Sequence, residues 1–528
     1  MSINVKANSS QEGNPLLHYW SECVGAGRAC EGLRADWQEQ LRTVIQSCGF
    51  RYLRFHGLYH DDMFVYKEVD GRVVYNFQYV DELFDKLLEV GIRPFVEFGF
   101  CPGDLASEKE TVFWWKAHGA PPKDYGKWAQ LIEKTVRHWI NRYGIDEVRK
   151  WYFEVWNEPN LWPFFHGTKS QYFELYKVTV QTVKSIDAQL RVGGPATSAF
   201  VPDARFDGEK EDASCRDSTY GAADIDLLDW RPVWVEQFLI FCAENILPVD
   251  FVSAHPYPTD WALDEHGKEQ RLARGVGATP RDLALLRSIV SQSAYPTAEI
   301  HLTEWSTSPS SRDHTHDTLF SAAYVVKAIV ESIGSVESLS YWTFTDIFEE
   351  NGAGNSIFHG GFGMINLQGI VKPMFHIYRF LHLLGDQCLD RGDGFIVTKQ
   401  SQTGSLTTLA FHYPPEMMKT APGHFRASPP ESAEEDLRVC QSTTLDIQCT
   451  GLSPHALVLV ETLDRENGDA LTAWQVMGKP EAPSREETLL LKEAAARTRK
   501  EFLHADASGC FVLNRPMTPC SVVLIKQI

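Results

Sequence analysis

The segment Trp151-Tyr-Phe-Glu-Val-Trp-Asn-Glu-Pro-Asn160 places a carboxylate, Glu158, directly after a run of aromatic and β-branched residues. Such a run is typical of a buried strand, and Pro159 ends it because proline fixes φ and has no N–H. Burial disfavours the ionised carboxylate, so the site favours the protonated acid. A general acid needs that form near neutral pH. The alternative is a structural glutamate that caps a loop or pairs with an arginine.

A second carboxylate, Glu304, lies near the end of another apolar run, Glu299-Ile-His-Leu-Thr-Glu-Trp305. Two carboxylates held by separate rigid strands can divide one reaction between them. One protonates the leaving oxygen, and the other attacks the anomeric carbon or activates a water molecule. The pair therefore fits glycoside hydrolysis, provided that the fold brings the two strand ends together.

The elements that must position the pair alternate from about residue 15 to residue 375. The predicted strands are His18–Val24, Tyr52–His56, Arg93–Gly99, Trp151–Trp156, Arg191–Pro195, Asp250–Tyr257, Glu299–Trp305 and Ser338–Phe344. The predicted helices include Tyr79–Val90, Tyr125–Arg142, Gln171–Ala188, Val233–Ile246, Ala284–Ser293 and Asp317–Ile333. Eight such units predict an α/β fold, a (β/α)8 TIM barrel over residues 15–384, with a doubly wound open sheet as the alternative. In a barrel, strands four and seven would present Glu158 and Glu304 at the catalytic end.

The pattern changes after about residue 385, where short strands are separated by polar turns. The predicted strands are Gly394–Lys399, Ser405–His412, Thr443–Cys449, Ala456–Glu461 and Ser521–Lys526, with one helix at Glu486–Thr498. This pattern predicts a C-terminal antiparallel β-sandwich over residues 385–528. Residues 1–14 are expected to form an N-terminal segment that packs on this sandwich. The segment Pro422–Glu435 is expected to be a mobile loop.

Composition and charge exclude several classes of function. The formal charge of −20 disfavours nucleic acid and anionic membranes as partners, because both require clustered Lys and Arg. The glycine cluster His359-Gly-Gly-Phe-Gly363 opens no helix after a strand, so no dinucleotide cofactor is expected. No metal is expected either, since the chain lacks a Cys-x-x-Cys pair. The 11 cysteines lack a Cys-x-x-Cys pair, and the first ten residues lack an apolar segment. Both features predict a cytoplasmic protein with reduced thiols.

Several stretches of the chain together resemble glycoside hydrolase family 39, which includes β-xylosidases. They are Tyr52-Leu-Arg-Phe-His-Gly-Leu58, Arg93-Pro-Phe-Val-Glu97, Phe153-Glu-Val-Trp-Asn-Glu-Pro-Asn-Leu161, Asp250-Phe-Val-Ser-Ala-His255, His301-Leu-Thr-Glu-Trp305, Tyr341-Trp-Thr-Phe-Thr-Asp-Ile-Phe-Glu-Glu350 and Phe358-His-Gly-Gly-Phe-Gly363. The resemblance implies a retaining exo-glycosidase that removes xylose from the non-reducing end of small xylo-oligosaccharides. A homo-oligomer stays open, since relatives include both tetramers and monomers.

The resemblance also assigns roles to individual residues. Glu158 would be the acid/base and Glu304 the nucleophile. A nucleophile must stay ionised, so Arg54 and Tyr257 are the candidate hydrogen-bond donors to Glu304. Asn157 would bind the sugar 2-OH. The other residues expected to contact substrate are His56, His255, Tyr257, Trp342, Glu350 and Phe362, with Glu349 as the alternative to Glu350.

Two other functions stay open at this point. A related glycosidase, an α-L-iduronidase or an α-L-arabinosidase, would differ in the sugar, and Lys372 is the nearest candidate for binding an iduronate carboxylate. A non-catalytic sugar-binding protein would be expected to lack Glu158 or Glu304, and both are present.

Three further motifs have simpler interpretations. The sequence His314-Thr-His-Asp317 is expected to start a helix rather than to bind a metal. Glu97 is expected to pair with an arginine. The pair Trp114-Trp115 is either a stacking platform for a second sugar or part of a packed loop.

Overall fold

A closed barrel of eight parallel strands forms the centre of the molecule, a computed structural model that describes residues 2–217, 219, 222–263, 269–417 and 440–528. The barrel strands are β1 (Cys23–Arg28), β2 (Tyr52–His56), β3 (Arg93–Phe98), β4 (Tyr152–Val155), β5 (Arg191–Ser198), β6 (Phe251–His255), β7 (Glu299–Trp305) and β8 (Ser338–Tyr341). Each strand pairs in parallel with the next along the chain, and β8 pairs with β1. The predicted (β/α)8 barrel is confirmed.

A helix follows each strand and covers the outside of the barrel. The helices are α1 (Ala35–Cys48), α2 (Gln78–Glu89), α3 (Tyr125–Tyr143), α4 (Lys169–Ile186), α5 (Val235–Glu244), α6 (Ala278–Gln292), α7 (Leu319–Glu331) and α8 (Pro373–His382). The helix α2 shows the general pattern, since Val80, Leu83, Phe84 and Leu87 are buried at helical spacing. Among the described residues, no helix has both the length and the apolar character to cross a membrane.

The first strand differs from the prediction. It runs over Cys23–Arg28, and a short 3₁₀ turn at Tyr19–Ser21 occupies part of the segment predicted as strand. The observed strand contains Gly25 and Gly27, which weaken the apolar signal of a buried strand. Gly25 faces the indole ring of Trp342 so closely that a Cβ would overlap it. The glycine thus leaves the space in which Trp342 lies.

The barrel interior has an apolar lower layer and a polar upper layer. A cluster of Cys23, Tyr52, Phe95, Tyr152 and Phe251 fills the end at which the strands begin. Charged side chains lie further along the same strands and are buried, among them Arg54, Glu97 and Glu154. Burying charges requires that they pair, and the pairs described below point toward the carboxyl ends of the strands.

Two further sheets form the β-sandwich, as predicted. One has three strands, Ser2–Asn8, Thr443–Thr450 and Phe511–Met517, and the other has seven, Asn14–Pro15, Gln387–Gly392, Phe395–Lys399, Leu406–Phe411, Leu457–Leu463, Arg499–His504 and Val522–Gln527. Ser2–Asn8 pairs in parallel with Thr443–Thr450 and buries Ile3, Val5 and Ala7 in the core between the sheets. Two helices, Ala470–Val476 and Arg485–Ala496, accompany the sandwich. The predicted mobile loop Pro422–Glu435 lies outside the described residues.

Short elements decorate the loops of the barrel. They are the hairpins Tyr66–Val69 with Arg72–Tyr75, Thr111–Val112 with Ala117–His118, Phe200–Val201 with Arg231–Pro232 and Thr259–Leu263 with Glu269–Ala273, and the helix Ile145–Val148. Phe113, Trp114, Trp115 and Lys116 form the tip of the second hairpin, at the carboxyl end of β3.

Candidate active site

Glu158 and Glu304 lie together at the carboxyl end of the barrel. One carboxylate oxygen of each and a ring nitrogen of His255 all lie within 4.8 Å of one another, and all three residues are buried. Glu304 belongs to β7, while Glu158 lies three residues beyond β4, where its N–H donates to the carbonyl oxygen of Ala196 at 2.9 Å. Glu158 has a left-handed φ of 44°, which a non-glycine residue adopts only when its surroundings enforce it.

Arg54 contacts four polar groups that lie on, or just after, three other strands. Its guanidinium donates to Glu154 at 2.6 Å, to Glu304 at 2.7 Å and to the amide oxygen of Asn157 at 2.8 Å, and it lies 3.0 Å from Glu97. The side chain is fully buried. A buried guanidinium among carboxylates stays charged and favours their ionised forms. Arg54 therefore orients the Glu304 carboxylate.

Tyr257 supplies another donor to Glu304. Its hydroxyl lies 3.3 Å from Glu304 Oε2, the oxygen that Arg54 does not bind. Burial and the negative charge of Glu304 raise the pKa of Tyr257 far above its ordinary value, so the hydroxyl keeps its proton. Both oxygens of Glu304 thus have a donor.

His56 adds a positive charge beside the pair. Burial lowers its pKa, but the Glu97 carboxylate at 2.6 Å and the charge of Glu304 outweigh burial and raise the pKa to about 9. The protonated ring therefore donates to Glu97 and directs Nε2–H toward Glu304, at 3.3 Å. Glu350 lies 3.8 Å from the same nitrogen.

His255 has the opposite character. Its Nδ1 lies 2.9 Å from Glu158 Oε1, and its Nε2 lies 2.8 Å from the hydroxyl of Thr303. Burial lowers the pKa of His255 to about 4, so the ring is neutral above that pH. The two histidines expected in the site thus differ in charge, and the neutral one contacts Glu158.

The remaining expected residues line or support the same space. Asn157 binds Arg54 through its amide oxygen, which leaves its NH₂ as the group that can donate to a ligand. Trp342 packs against His56 at 4.9 Å between ring centroids and lies 5.8 Å from the Arg54 guanidinium. Phe362 lies further back, where it packs against Phe348 in a cluster with Trp342.

Comparison with known proteins agrees with this geometry. A family model described as glycosyl hydrolases family 39 matches residues 1–509. The chain belongs to glycosyl hydrolase family 39. It is 36% identical to a β-xylosidase of Geobacillus stearothermophilus over 99% of this chain and 95% of that protein. A β-xylosidase of Caldicellulosiruptor saccharolyticus is 37% identical over 92% of this chain and 90% of its own length.

Solved structures and more distant relatives extend the comparison. A monomeric β-xylosidase from Caulobacter crescentus has a TM-score of 0.84 at 32% identity, covering 99% of both chains. An α-L-iduronidase of Mus musculus is 26% identical, over only 37% of this chain. As a member of family 39, the chain is a glycoside hydrolase.

Glu349 and Glu350 have different neighbours. Glu349 pairs with Arg28 at 2.8 Å and lies 3.6 Å from Arg34, so its charge is already matched. Glu350 lies beside His56 instead, and its side chain is 18% exposed. Burial and the charge of Glu304, partly offset by His56, raise the pKa of Glu350 to about 8. Glu350 is therefore the one of the two that lies beside Glu158 and Glu304.

Other candidate residues lie in structural positions. Lys372 is fully buried, and its Nζ lies 2.7 Å from both Asp317 and Asp346. His314–Asp317 forms a 3₁₀ turn capped by Asp313, in line with the predicted helix start. Glu97 pairs with an arginine, as expected, and that arginine is Arg54.

The two tryptophans of the β3 loop differ in exposure. Trp115 is buried, whereas Trp114 is 63% exposed. The backbone N–H of Trp114 donates to the carbonyl oxygen of Glu350. The packed-loop interpretation therefore applies to Trp115, while Trp114 is open to solvent.

Three residues of the site have no counterpart in the sequence-based prediction. Glu154 and Thr303 lie inside β4 and β7, where Thr303 donates to Glu154 at 2.7 Å. Phe113 stacks on His56 with an interplanar angle of 18°. A charged residue inside the aromatic β4 run, Glu154, was the available signal, because a buried charge requires a partner.

Proposed function

We propose that this chain is a retaining β-xylosidase that removes xylose from the non-reducing end of xylo-oligosaccharides. The main support for the retaining mechanism is that a carboxylate oxygen of Glu158 lies within 4.8 Å of one of Glu304. Retaining glycosidases hold the two carboxyl groups about 5–5.5 Å apart, whereas inverting enzymes need about 6.5–9.5 Å to admit a water molecule. The full-length similarity to proteins named β-xylosidase supports the choice of sugar.

The environments of the two carboxylates support their separate roles. Glu304 accepts hydrogen bonds from Arg54 and Tyr257, which favours the ionised nucleophile. Glu158 contacts the neutral His255 instead. In the first step a Glu304 oxygen bonds to the anomeric carbon as Glu158 protonates the leaving oxygen. In the second step Glu158 takes a proton from water, which attacks that carbon and releases Glu304.

The surrounding residues offer contacts for a neutral sugar. The NH₂ of Asn157 is placed to donate to the 2-OH, and Trp342 offers an apolar face. His56 and Glu350 can donate to and accept from the remaining hydroxyl groups. Phe362 supports Trp342 from behind through Phe348.

The iduronidase alternative lacks a matching cation at its candidate position. Lys372 is held by two aspartates and by the carbonyl oxygen of Gly361 at 2.9 Å, so it has no room for an iduronate carboxylate. The occupied position of Lys372 therefore favours a neutral sugar such as xylose.

The test is an activity screen of the full chain with aryl β-xyloside, α-L-arabinoside, β-glucoside and α-L-iduronide. We expect kcat/KM to be highest for the β-xyloside, and NMR to show β-xylose as the first product. A preference for another sugar would overturn the assigned substrate. Appearance of α-xylose first would overturn the retaining mechanism.

We also propose that the protein works in the cytoplasm. All 11 cysteines are free thiols, and Cys23, Cys48 and Cys101 are among those that are buried. Free thiols persist in a reducing compartment. Localising the tagged protein in its own cells would test this proposal.

A further inference from the structure

The hydroxyl of Thr303 has only one proton, and the structure fixes where that proton goes. Thr303 Oγ1 lies 2.7 Å from Glu154 Oε1, and the other oxygen of Glu154 accepts from Arg54 at 2.6 Å. A carboxylate bound by a guanidinium is an acceptor, so Thr303 donates to it. Thr303 must then accept from its other neighbour, His255 Nε2, at 2.8 Å. The hydrogen-bond chain therefore places a proton on Nε2.

The other ring nitrogen of His255 then determines the state of Glu158. Nδ1 lies 2.9 Å from Glu158 Oε1, which is hydrogen-bond distance. In a neutral ring with its proton on Nε2, Nδ1 has a lone pair and only accepts. Two acceptors repel at this distance, so the proton between them belongs to Glu158.

The charges around His255 come from several strands. Glu304 lies 3.9 Å from Nδ1, and Glu154 acts from the other side, and both favour an imidazolium. Arg54 and His56 oppose it, and burial opposes it most. The pKa of His255 is lowered to about 4, so the ring is neutral above that pH. The chain of hydrogen bonds requires the same neutral ring.

We propose that His255, oriented by Thr303 and Glu154, is a positioning residue that keeps Glu158 in its protonated form. Because His255 is a weak base, it orients the proton of Glu158 without removing it. That proton remains available to the leaving oxygen when the bond between the sugar and the leaving group breaks. The catalytic part of the proposal rests on the proposed function.

The same arrangement promotes the second step. Once Glu158 has given up its proton, its carboxylate faces the lone pair of Nδ1 with no proton between them. This repulsion favours recovery of a proton from the attacking water. His255 thus favours the protonated form of Glu158 in both steps.

Thr303→Val tests the direction of the hydrogen bonds. Without the hydroxyl acceptor, the proton of the ring moves to Nδ1 and donates to the Glu158 carboxylate, which lowers the pKa of Glu158. We expect the basic limb of the kcat/KM profile for xylobiose to move down by about one pH unit, which corresponds to a tenfold change in the ionisation equilibrium. Thr303→Ser, which keeps the hydroxyl, should restore the parent profile.

Thr179→Val is the matched control. Thr179 is also buried, accepts from a ring N–H, that of Trp128, at 2.9 Å, and donates to a carbonyl oxygen, that of Leu175, at 2.7 Å. It lies on α4, outside the barrel interior. We expect this variant to keep the basic limb of the parent. If Thr303→Val changes kcat without moving the basic limb, the proposal is overturned.

A second measurement needs no turnover and covers the case in which Thr303→Val does not fold. In Glu158→Gln the amide NH₂ can donate to Nδ1 as the protonated acid does. We expect the thermal midpoint of this variant to match the parent at pH 5 and to exceed it increasingly toward pH 8. The reason is that a carboxyl group whose pKa is raised on folding makes the folded protein less stable as pH rises above the pKa of the unfolded chain. The parent carries this cost and the glutamine variant does not.

Glu154→Gln is the control for the stability measurement. Both oxygens of Glu154 accept hydrogen bonds in this arrangement, from Arg54 and from Thr303, and the NH₂ of a glutamine cannot accept either of them. We therefore expect this variant to have a lower midpoint than the parent at every pH. A Glu158→Gln variant that is equally destabilised would show that Glu158 is ionised at rest, which overturns the proposal. If the parent fails to hydrolyse xylosides, the proposed function fails, while the stability measurement still tests the position of the proton.

Discussion

Arg54 Nη1 lies 2.7 Å from Glu304 Oε1, and this contact joins the proposed nucleophile on β7 to a cation on β2. The same guanidinium also binds Glu154 and Asn157, so one side chain from β2 holds together groups from β4 and β7. A single buried cation therefore aligns both halves of the site.

Arg54→Met should destabilise the whole barrel. Removing one partner of a buried ion pair leaves uncompensated charge and costs about 3–5 kcal/mol. We expect a loss of that size in the free energy of unfolding, measured by urea denaturation. Arg51→Met is the control, because Arg51 is largely exposed and its pair with Glu22 at 3.2 Å should contribute less than about 1 kcal/mol. Equal losses in the two variants would contradict the role of Arg54.

Glu304→Gly should abolish hydrolysis of aryl β-xylosides. Azide is small enough to occupy the space of the lost carboxylate and to attack the anomeric carbon from the same side. We expect azide to restore activity and to yield the α-glycosyl azide, identified by NMR. A β-glycosyl azide would reverse the assigned roles of Glu304 and Glu158.

Glu158→Ala should slow hydrolysis of xylobiose by about 10²–10⁴-fold, the range that general acid catalysis contributes. An aryl xyloside with an activated leaving group needs no proton, so its first step should be affected less. Azide should then intercept the glycosyl-enzyme and give the β-glycosyl azide. An equal loss of the first-step rate on both substrates, measured by rapid-quench kinetics, would argue against an acid role.

Loss of the proton from His56 should make the folded state less stable at alkaline pH. Its pKa is raised to about 9, so its contribution is complete below its ordinary value and is lost as pH rises through about 9. The full contribution is on the order of 3 kcal/mol. We expect His56→Gln to flatten the fall in the free energy of unfolding between pH 6.5 and pH 9, values set by the ordinary and raised pKa. His504→Gln, at an exposed position, should leave the slope unchanged.

Gly25→Ala should displace Trp342. The added Cβ would overlap the indole ring, and overpacking a core typically costs about 1–3 kcal/mol. We expect a lower thermal midpoint and a higher KM for the xyloside, because the ring would shift into the sugar site. Gly208→Ala is the control, since its Cβ would lie 3.8 Å from the nearest atom. Unchanged kinetics in Gly25→Ala would disprove the link.

The sequence was most informative where a buried strand carried its usual signal. β2 and β7 match their predicted bounds, and Glu158 and Glu304 followed from runs of aromatic and β-branched residues. β1 was misplaced because Gly25 and Gly27 carry no apolar side chains. In the sandwich, Phe511–Met517 was missed because Pro516 argues against a strand by pattern alone.

The contacts inside the site were harder to predict for a different reason. Arg54 could be expected near Glu304, but Thr303 and Glu154 are 149 residues apart and meet only through the register of the barrel. No local pattern encodes the direction of a hydrogen bond between such distant residues. The charge difference between His56 and His255 likewise depends on neighbours from other strands.

The pairing of Ser2–Asn8 with Thr443–Thr450 has a consequence for biosynthesis. Ser2–Asn8 leaves the ribosome roughly 440 residues before its partner is made, which at about 5–20 residues per second is a delay of tens of seconds. During that time Ile3, Val5 and Ala7 have no core in which to be buried. The barrel can form earlier, so completion of the sandwich is a late step that brings two distant segments of the chain together.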